Sequence, residues 1–307
     1  MGTEFISVNN PVMDGNEKKY VLDCLESSWI SSSGKYIDQF EGAFKEFCKA
    51  KHAIACSNGT AALHLALLAL GLEPGDEVIV PTLTFIATAN AVTYCGGKPV
   101  FIDSEPETWN MNPALIESKI SSRTKGIIVV HFRGHPADMD DILDVARRHG
   151  LFVVEDAAQS HGAEYKGKRT GALGDIGTFS FFGNKIVTTG EGGMIVTDNE
   201  DLANQMRLLK NQAMTQKNRY WHPVIGYNYR MTNVAAAIGL AQLERVDTQI
   251  KGRSDVALWY QESLRHVPGM IFQCEKEWAK RVWFLFTLVL SNDARSVRDE
   301  LIPYLLG

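Results

Sequence analysis

Three short stretches of the chain carry residue types that could do chemistry together. In Thr178-Phe179-Ser180-Phe181-Phe182-Gly183-Asn184-Lys185 a lysine follows a largely apolar aromatic run and adjoins glycine and asparagine. Surroundings of that kind withdraw water from an ammonium group, lower its pKa and free the neutral amine for Schiff-base formation with an aldehyde. The alternative is a solvated lysine in a turn. In Val153-Val154-Glu155-Asp156-Ala157-Ala158-Gln159 a buried-looking strand ends in two acids. Carboxylates at the carboxyl end of a central strand lie where open α/β sheets place their ligands, and an acid kept ionised there can pair with a cationic ring nitrogen. A strand end that caps the next turn is the alternative, and it suits Glu155 better than Asp156. The third stretch, Ser57-Asn58-Gly59-Thr60, precedes an almost unbroken Ala and Leu segment, Ala61 to Leu70. Small and hydroxyl residues at a helix start leave backbone N–H groups free to hold a phosphate monoester, although an ordinary N-cap explains the same residues.

Taken together the three supply a phosphate cup, an acid for a pyridinium nitrogen and an amine for an aldehyde, which are the handles of pyridoxal 5′-phosphate. The spacing is not that of a P-loop, because Ile186 follows Lys185, and no G-x-G-x-x-G fingerprint lies near a first strand.

The elements that must position these residues can be read from periodicity. From about Ser57 to Lys210, β-branched runs alternate with helical segments, the pattern of an α/β fold. Expected strands are Glu77 to Val80, Pro99 to Asp103, Gly126 to His131, Phe152 to Glu155, Thr178 to Phe181 and Met194 to Thr197. Several are apolar on consecutive residues, as expected of strands covered on both faces. Expected helices are Ala61 to Leu70, ending before Gly71, and Met139 to His149, with Asp138 as N-cap and Gly150 just past its end. Thr232 to Gln249 and Ser254 to His266 read as two further helices, with a smaller second unit (250–307) beginning near Ile250 after a large one (1–249). Phe284 to Leu290 reads as a strand, and Tyr304 to Gly307 as the end of an unfinished helix. On this reading the C-terminus is truncated.

With 307 residues, 45% of them hydrophobic and 22% charged, the chain is long enough for one large core or about two domains. Acidic residues outnumber basic ones 36 to 31, so no overall basic surplus points to nucleic acid as a partner. No apolar run reaches the roughly 20 residues of a membrane helix, and Met1 to Asn10 lacks the features of a signal peptide, so a cytoplasmic location with no membrane partner is expected. Cys24, Cys48, Cys56, Cys95 and Cys274 are odd in number and form no C-x-x-C pair, which disfavours a disulfide framework or a structural zinc; no metal is expected. Most of the six tryptophans read as core or interface residues.

Ser57 to Thr60, Glu155 to Gln159, Ser180 to Lys185 and Gly226-Tyr227-Asn228-Tyr229-Arg230-Met231 resemble, in order, the motif set of the sugar-nucleotide aminotransferases. The resemblance runs from about Val8 to the last residue. Ser28 to Ser32, Pro81 to Ala87 and Gly134 to Met139 are similar to the branch that makes perosamine. It implies an α/β fold of the aspartate aminotransferase type (fold type I), with a large domain built on a mixed, mostly parallel seven-stranded sheet and a smaller C-terminal α+β domain. It further implies Lys185 as the lysine that carries the cofactor, Asp156 as partner of the ring nitrogen, Gln159 beside the ring hydroxyl and Phe85 on the ring face. Gly59, Thr60 and Ser180 match the phosphate site, and Asn228 would reach in from the second subunit of a homodimer. Ser31, Ser32 and Arg219 are candidates for the sugar-nucleotide side; His161 is a weaker one, with a plain turn residue as the alternative.

The reaction implied moves an amino group from L-glutamate to C4 of a nucleotide-linked 4-keto-6-deoxy sugar, here GDP-4-keto-6-deoxy-D-mannose, giving GDP-perosamine for O-antigen lipopolysaccharide. A UDP-linked substrate is the alternative, since no residue separates the two nucleotides. A related sugar 3-dehydratase carries His where Lys185 stands. A non-catalytic regulatory protein on the same scaffold is the reading from another class, and the intact Lys185, Asp156 and Gln159 argue against it. Arg133 stands where the family has an aromatic residue, which implies a changed substrate contact. The family's Arg-Pro…His segment, which completes the small domain, would lie beyond Gly307.

Overall fold

Consecutive apolar residues in the expected strands imply cover on both faces, and the computed structural model, which describes residues 7–215, 217–291 and 297–306, shows where that cover comes from. Seven strands form one sheet: β1 His52–Cys56, β2 Glu77–Pro81, β3 Lys98–Ile102, β4 Thr124–Val130, β5 Phe152–Asp156, β8 Ile176–Ser180 and β9 Gly193–Thr197. Their order is β1-β9-β8-β5-β4-β2-β3, with β9 antiparallel to both neighbours and the other pairs parallel. Alternate residues of one strand point to opposite faces. Ile128 of β4 and Val154 of β5 join the core beneath α3 Gly59–Ala69, α4 Ala87–Tyr94 and α6 Glu200–Lys210. Ile127, Val129 and Val153 join the core beneath α5 Met139–His149. Phe179, Met194 and Val196 pack against α2 Lys35–Cys48 and α7 Asn233–Leu243. The sheet is therefore mixed and mostly parallel, with helices on both faces, as the sequence implies.

Helix α1 Glu17–Glu26 precedes this body, and α8 Val246–Leu264 follows α7. β6 Glu164–Tyr165 and β7 Lys168–Arg169 form a three-stranded sheet with β11 Ala279–Lys280, while β10 Met270–Phe272 pairs with β12 Leu288–Leu290. The last described element is α9 Arg298–Leu306, on which the expected terminal helix falls; Gly307 lies outside the described residues.

Several details depart from the expected elements. β1 is a strand that periodicity did not mark. The strand expected over Phe284 to Leu290 is only Leu288–Leu290. The break between the helices expected over Thr232 to Gln249 and Ser254 to His266 lies earlier, at Glu244 and Arg245. Arg245 has φ −118° and ψ 13°, outside helical values, and the Glu244 carboxylate is held at 2.7 Å by both the Asn16 amide and the Tyr20 hydroxyl. α8 then runs through Gly252 without interruption, because a glycine in an exposed helix costs only about 1 kcal/mol. Asp138 flanks α5 but does not cap it with its own carboxylate. The Tyr165 hydroxyl accepts the Asp140 N–H at 3.2 Å and donates to Asp138 at 2.9 Å, so a phenol stands in the capping position. Gly150 ends α5 in a left-handed conformation, φ 63°, as its type predicts.

Candidate active site

The carboxyl ends of β4, β5 and β8 and the first turn of α3 open onto one cavity of about 800 Å³. Gly59, Thr60, Phe85, Asp156, Gln159, Ser180 and Lys185 all line it, so the residues read from three separate stretches converge. This is the crevice beyond the carboxyl ends of parallel strands where α/β folds place ligands.

Strand alternation divides the two acids of β5. Glu155 is fully buried and accepts from His131 Nε2 at 2.8 Å, Gly171 N at 2.7 Å, Leu173 N at 2.6 Å and Gly174 N at 2.7 Å. His131 Nδ1 accepts the Ala137 N–H at 3.0 Å, so this histidine is the neutral tautomer that donates from Nε2. Glu155 thus ties loops together and has no capacity left for a ligand. Asp156 points the other way, into the cavity, where Oδ2 accepts from the Thr88 hydroxyl at 2.8 Å and Oδ1 from Ala158 N at 3.2 Å. Two donors hold the carboxylate in one orientation.

Lys185 follows β8 in a turn closed by its own N–H to the Phe182 carbonyl at 2.9 Å. Its Nζ lies 4.3 Å from the centroid of the Phe284 ring. The amine is pushed down to about 8, chiefly by burial, which Asp156 opposes and to which Arg133 and Arg253 add. With a pKa near 8, roughly one amine in ten is neutral at pH 7, against fewer than one in a thousand for an ordinary lysine. The solvated-lysine alternative fails on this geometry.

The cup at α3 has a physical reason for its glycine. Asn58 caps the helix, its side-chain oxygen accepting the Ala61 N–H at 2.8 Å. The first-turn N–H groups of Gly59 and Thr60 have no carbonyl one turn earlier to bind, and they face the cavity at the positive end of an eleven-residue helix. A Cβ at position 59 would come within 2.7 Å of the Ser180 Cβ, so only glycine lets α3 and β8 approach this closely. Gln159 accepts the Arg133 N–H at 2.9 Å through Oε1, which leaves its NH₂ to donate elsewhere. Phe85, 68% exposed, stands at the cavity mouth. An amine, an oriented acid, a helix-end anion cup and an aromatic face together match the reactive and charged groups of pyridoxal 5′-phosphate.

Other candidates lie elsewhere. Asn228 is exposed, outside the cavity of its own chain, with its side-chain oxygen accepting from Arg230 at 3.0 and 3.2 Å. Ser31, Ser32 and Arg219 do not line the cavity. His161 is fully buried against Phe179 and Phe181, with ring centroids 5.4 and 5.7 Å away. Burial first, then Lys185 and Arg253, push its pKa down to about 3, so it stays neutral. With no exposed atom it cannot touch a substrate, which corrects its candidacy; it lies in a turn, as the alternative reading has it, and is buried there. Thr88, Phe284 and Arg253 were not read as site residues: Thr88 lies just past the Pro81 to Ala87 motif, and Phe284 and Arg253 reach the site from segments with no motif around them. Among the described residues no group of three His, Cys, Asp or Glu side chains could hold a metal ion, and no helix is long and apolar enough to cross a membrane. All five cysteines are free thiols, and only Cys274 is exposed.

The signature of the DegT/DnrJ/EryC1/StrS aminotransferase family matches residues 11–306. The chain is 54% identical to GDP-perosamine synthase of Caulobacter vibrioides, over 97% of this chain and 80% of that one. It is 50% identical to GDP-perosamine synthase of Escherichia coli O157:H7, over 98% and 82%. Among solved structures it is similar to S. venezuelae DesV in complex with a ketimine intermediate, with a TM-score of 0.88 at 38% identity over 94% of this chain and 76% of that one. The chain therefore belongs to the DegT/DnrJ/EryC1/StrS aminotransferase family and is a pyridoxal 5′-phosphate-dependent enzyme.

Proposed function

We propose that the protein transfers an amino group from L-glutamate to C4 of GDP-4-keto-6-deoxy-D-mannose, giving GDP-perosamine for an O-antigen type of polysaccharide. The observation that supports the chemistry is the partly desolvated Lys185 amine in one cavity with Asp156 and the α3 cup. The choice of a GDP sugar rests on the two GDP-perosamine synthases at 54% and 50% identity.

Pyridoxal 5′-phosphate, when bound, supplies an electron sink and a carrier for the amino group. Lys185 Nζ removes the proton from the donor α-carbon in the first half of the cycle and delivers one to sugar C4 in the second. Asp156, fixed by Thr88 and Ala158, keeps a proton on the ring nitrogen. Gly59, Thr60 and Ser180 hold the phosphate, Gln159 the ring hydroxyl, and Phe85 covers the ring face. Ser31, Ser32 and Arg219 serve the sugar nucleotide from outside the cavity.

The active unit in this reading is a homodimer in the cytoplasm. Phe85, Ile86 and Ile225 are 68%, 60% and 84% exposed around the cavity mouth and the 226–231 segment, apolar area that a second copy would cover. Asn228 would then complete the neighbouring site. A large cofactor-binding domain (1–249) and a smaller one (250–307) belong to the same reading, with α8 crossing the junction.

The test is incubation of the holoenzyme with L-glutamate and a panel of GDP- and UDP-linked 4-keto-6-deoxy sugars, with products read by mass. Amination of the GDP-linked mannose derivative at the highest rate is expected. Preferential amination of a UDP sugar would overturn the nucleotide assignment, and no amination of any member would overturn the sugar assignment.

A further inference from the structure

Arg253 lies on α8 in line with Val246, Ile250 and Ala257, a spacing that places all four on one side of a helix. Val246 and Ala257 are buried and Ile250 is packed against the core, so this side of α8 is pressed onto the body of the protein. Amid that apolar stripe the guanidinium lies within hydrogen-bonding distance of four oxygens, and among the described residues none of its partners is a carboxylate. Nη1 donates to the Phe284 carbonyl at 2.7 Å. Nη2 lies 3.0 Å from the Lys185 carbonyl, 3.4 Å from the Asn184 carbonyl and 3.1 Å from Asn9 Oδ1. Asn9 Nδ2 in turn donates to the same Asn184 carbonyl.

One cation thus joins three stretches remote in sequence: the N-terminal segment, the turn that carries Lys185, and the segment that carries Phe284. The Lys185 ammonium lies over the Phe284 ring, 4.3 Å from its centroid. A guanidinium desolvated without a counter-ion is unfavourable, and burial pushes Arg253 down to about 10. Its donors are spent on the main-chain carbonyls of Asn184, Lys185 and Phe284 and on the Asn9 amide oxygen. A lysine has four rotatable bonds, so the placement of Nζ depends on how firmly its own backbone and its neighbouring ring are held.

We propose that Arg253 is a positioning residue for proton transfer, clamping the Lys185 backbone and the Phe284 segment together so that Nζ keeps one orientation in the cavity. The charge acts in the same direction as the clamp. Lys185 faces Asp156, Arg133, Arg253 and, behind the aromatic layer, His161; Arg253 is among the groups that hold its amine low. The inference rests on the aminotransferase reading but not on the identity of the sugar.

The test therefore uses only the first half-reaction of the holoenzyme with L-glutamate, followed by stopped flow, together with a pH titration of the visible absorption band of the lysine-bound cofactor. In Arg253→Gln the band is expected to titrate about one pH unit higher, because a neighbouring cation is lost. The limiting rate should fall roughly tenfold, and the half-saturating glutamate concentration should stay within about twofold. Arg253→Lys should restore the titration and part of the rate. Asn9→Ala removes one acceptor without touching α8 and should move the rate the same way by less, which keeps the test open if the Gln variant does not fold. A wild-type rate and titration in folded Arg253→Gln, or a wild-type rate in both Arg253→Lys and Asn9→Ala, would overturn the assignment. An unreactive wild type with glutamate would instead count against the donor assignment.

Discussion

A single peptide unit separates two carboxylates with opposite fates. Glu155 turns away from the cavity and spends its oxygens on His131 and three backbone N–H groups, while Asp156 turns into it with two donors at its back. The division follows from the two-residue period of a strand. At the same scale, Lys185→Ala is expected to abolish the yellow colour and the borohydride-reducible adduct of the holoenzyme; a reducible adduct persisting in the folded variant would refute the lysine assignment. His161 carries a prediction about pH. Its folded pKa of about 3 lies below the ordinary 6.5, so between those values the unfolded chain binds a proton that the folded chain does not. Its contribution is therefore stability that is present above about pH 6.5 and declines as pH falls towards 3. Among the described residues neither ring nitrogen has a partner in good hydrogen-bond geometry, so an apolar replacement loses little hydrogen bonding. His161→Leu is expected to keep its melting temperature at pH 7 and to lose less of it on going to pH 4.5 than the wild type. An equally steep acid decline would show that another group dominates.

At the scale of an element, α3 is buried on nearly every side and is anchored at its start by Asn58. A helix fixed in this way presents its first-turn N–H groups at a constant distance from β8, and the contact of Gly59 with Ser180 sets that distance. Gly59→Ala is expected to push the two apart and to raise the dissociation constant for pyridoxal 5′-phosphate at least tenfold, measured by absorbance titration of the apoenzyme, with the circular dichroism of the fold retained. Wild-type affinity would mean that the cup tolerates the shift. The neighbouring α5 illustrates a different economy, since Tyr165, from β6, does the capping that Asp138 was expected to do. A tyrosine in a two-residue strand gives no local sign of that task.

For the whole molecule, the exposed Asn228 and the apolar residues around the cavity mouth make the shared site the main expectation. Lys185→Ala and Asn228→Ala variants, each inactive alone, should regain activity when their subunits are exchanged, because half of the sites in hybrid dimers, and so about a quarter of all sites after random pairing of roughly equal amounts, would hold neither change. Absence of recovery despite exchange shown by labelled subunits would place Asn228 outside the site. Sedimentation of the wild type should report a dimer at micromolar concentration.

Much of this architecture was legible because it depends on local patterns. β2, β4, β5 and β9 are buried along both faces and announce themselves as apolar runs, and the Ala and Leu segment of α3 could only be a buried helix. Lys185, Asp156 and Gly59 were legible because their residue types and flanks already carry the chemistry. β1 escaped notice because His52-Ala53-Ile54-Ala55-Cys56 has little β-branched character and becomes a strand only against β9, far along the chain. Thr88 meets Asp156 across 68 positions, and Arg253 meets the Lys185 carbonyl across another 68. Neither partnership leaves a periodic trace, since a hydrogen bond between remote segments constrains only two residues. The amino acids alone thus determined which groups could react and which strands would be covered. Only packing decided which carboxylate faces the ligand, how far the amine is desolvated and what holds it still, because those depend on solvent exclusion and on contacts made when distant segments meet.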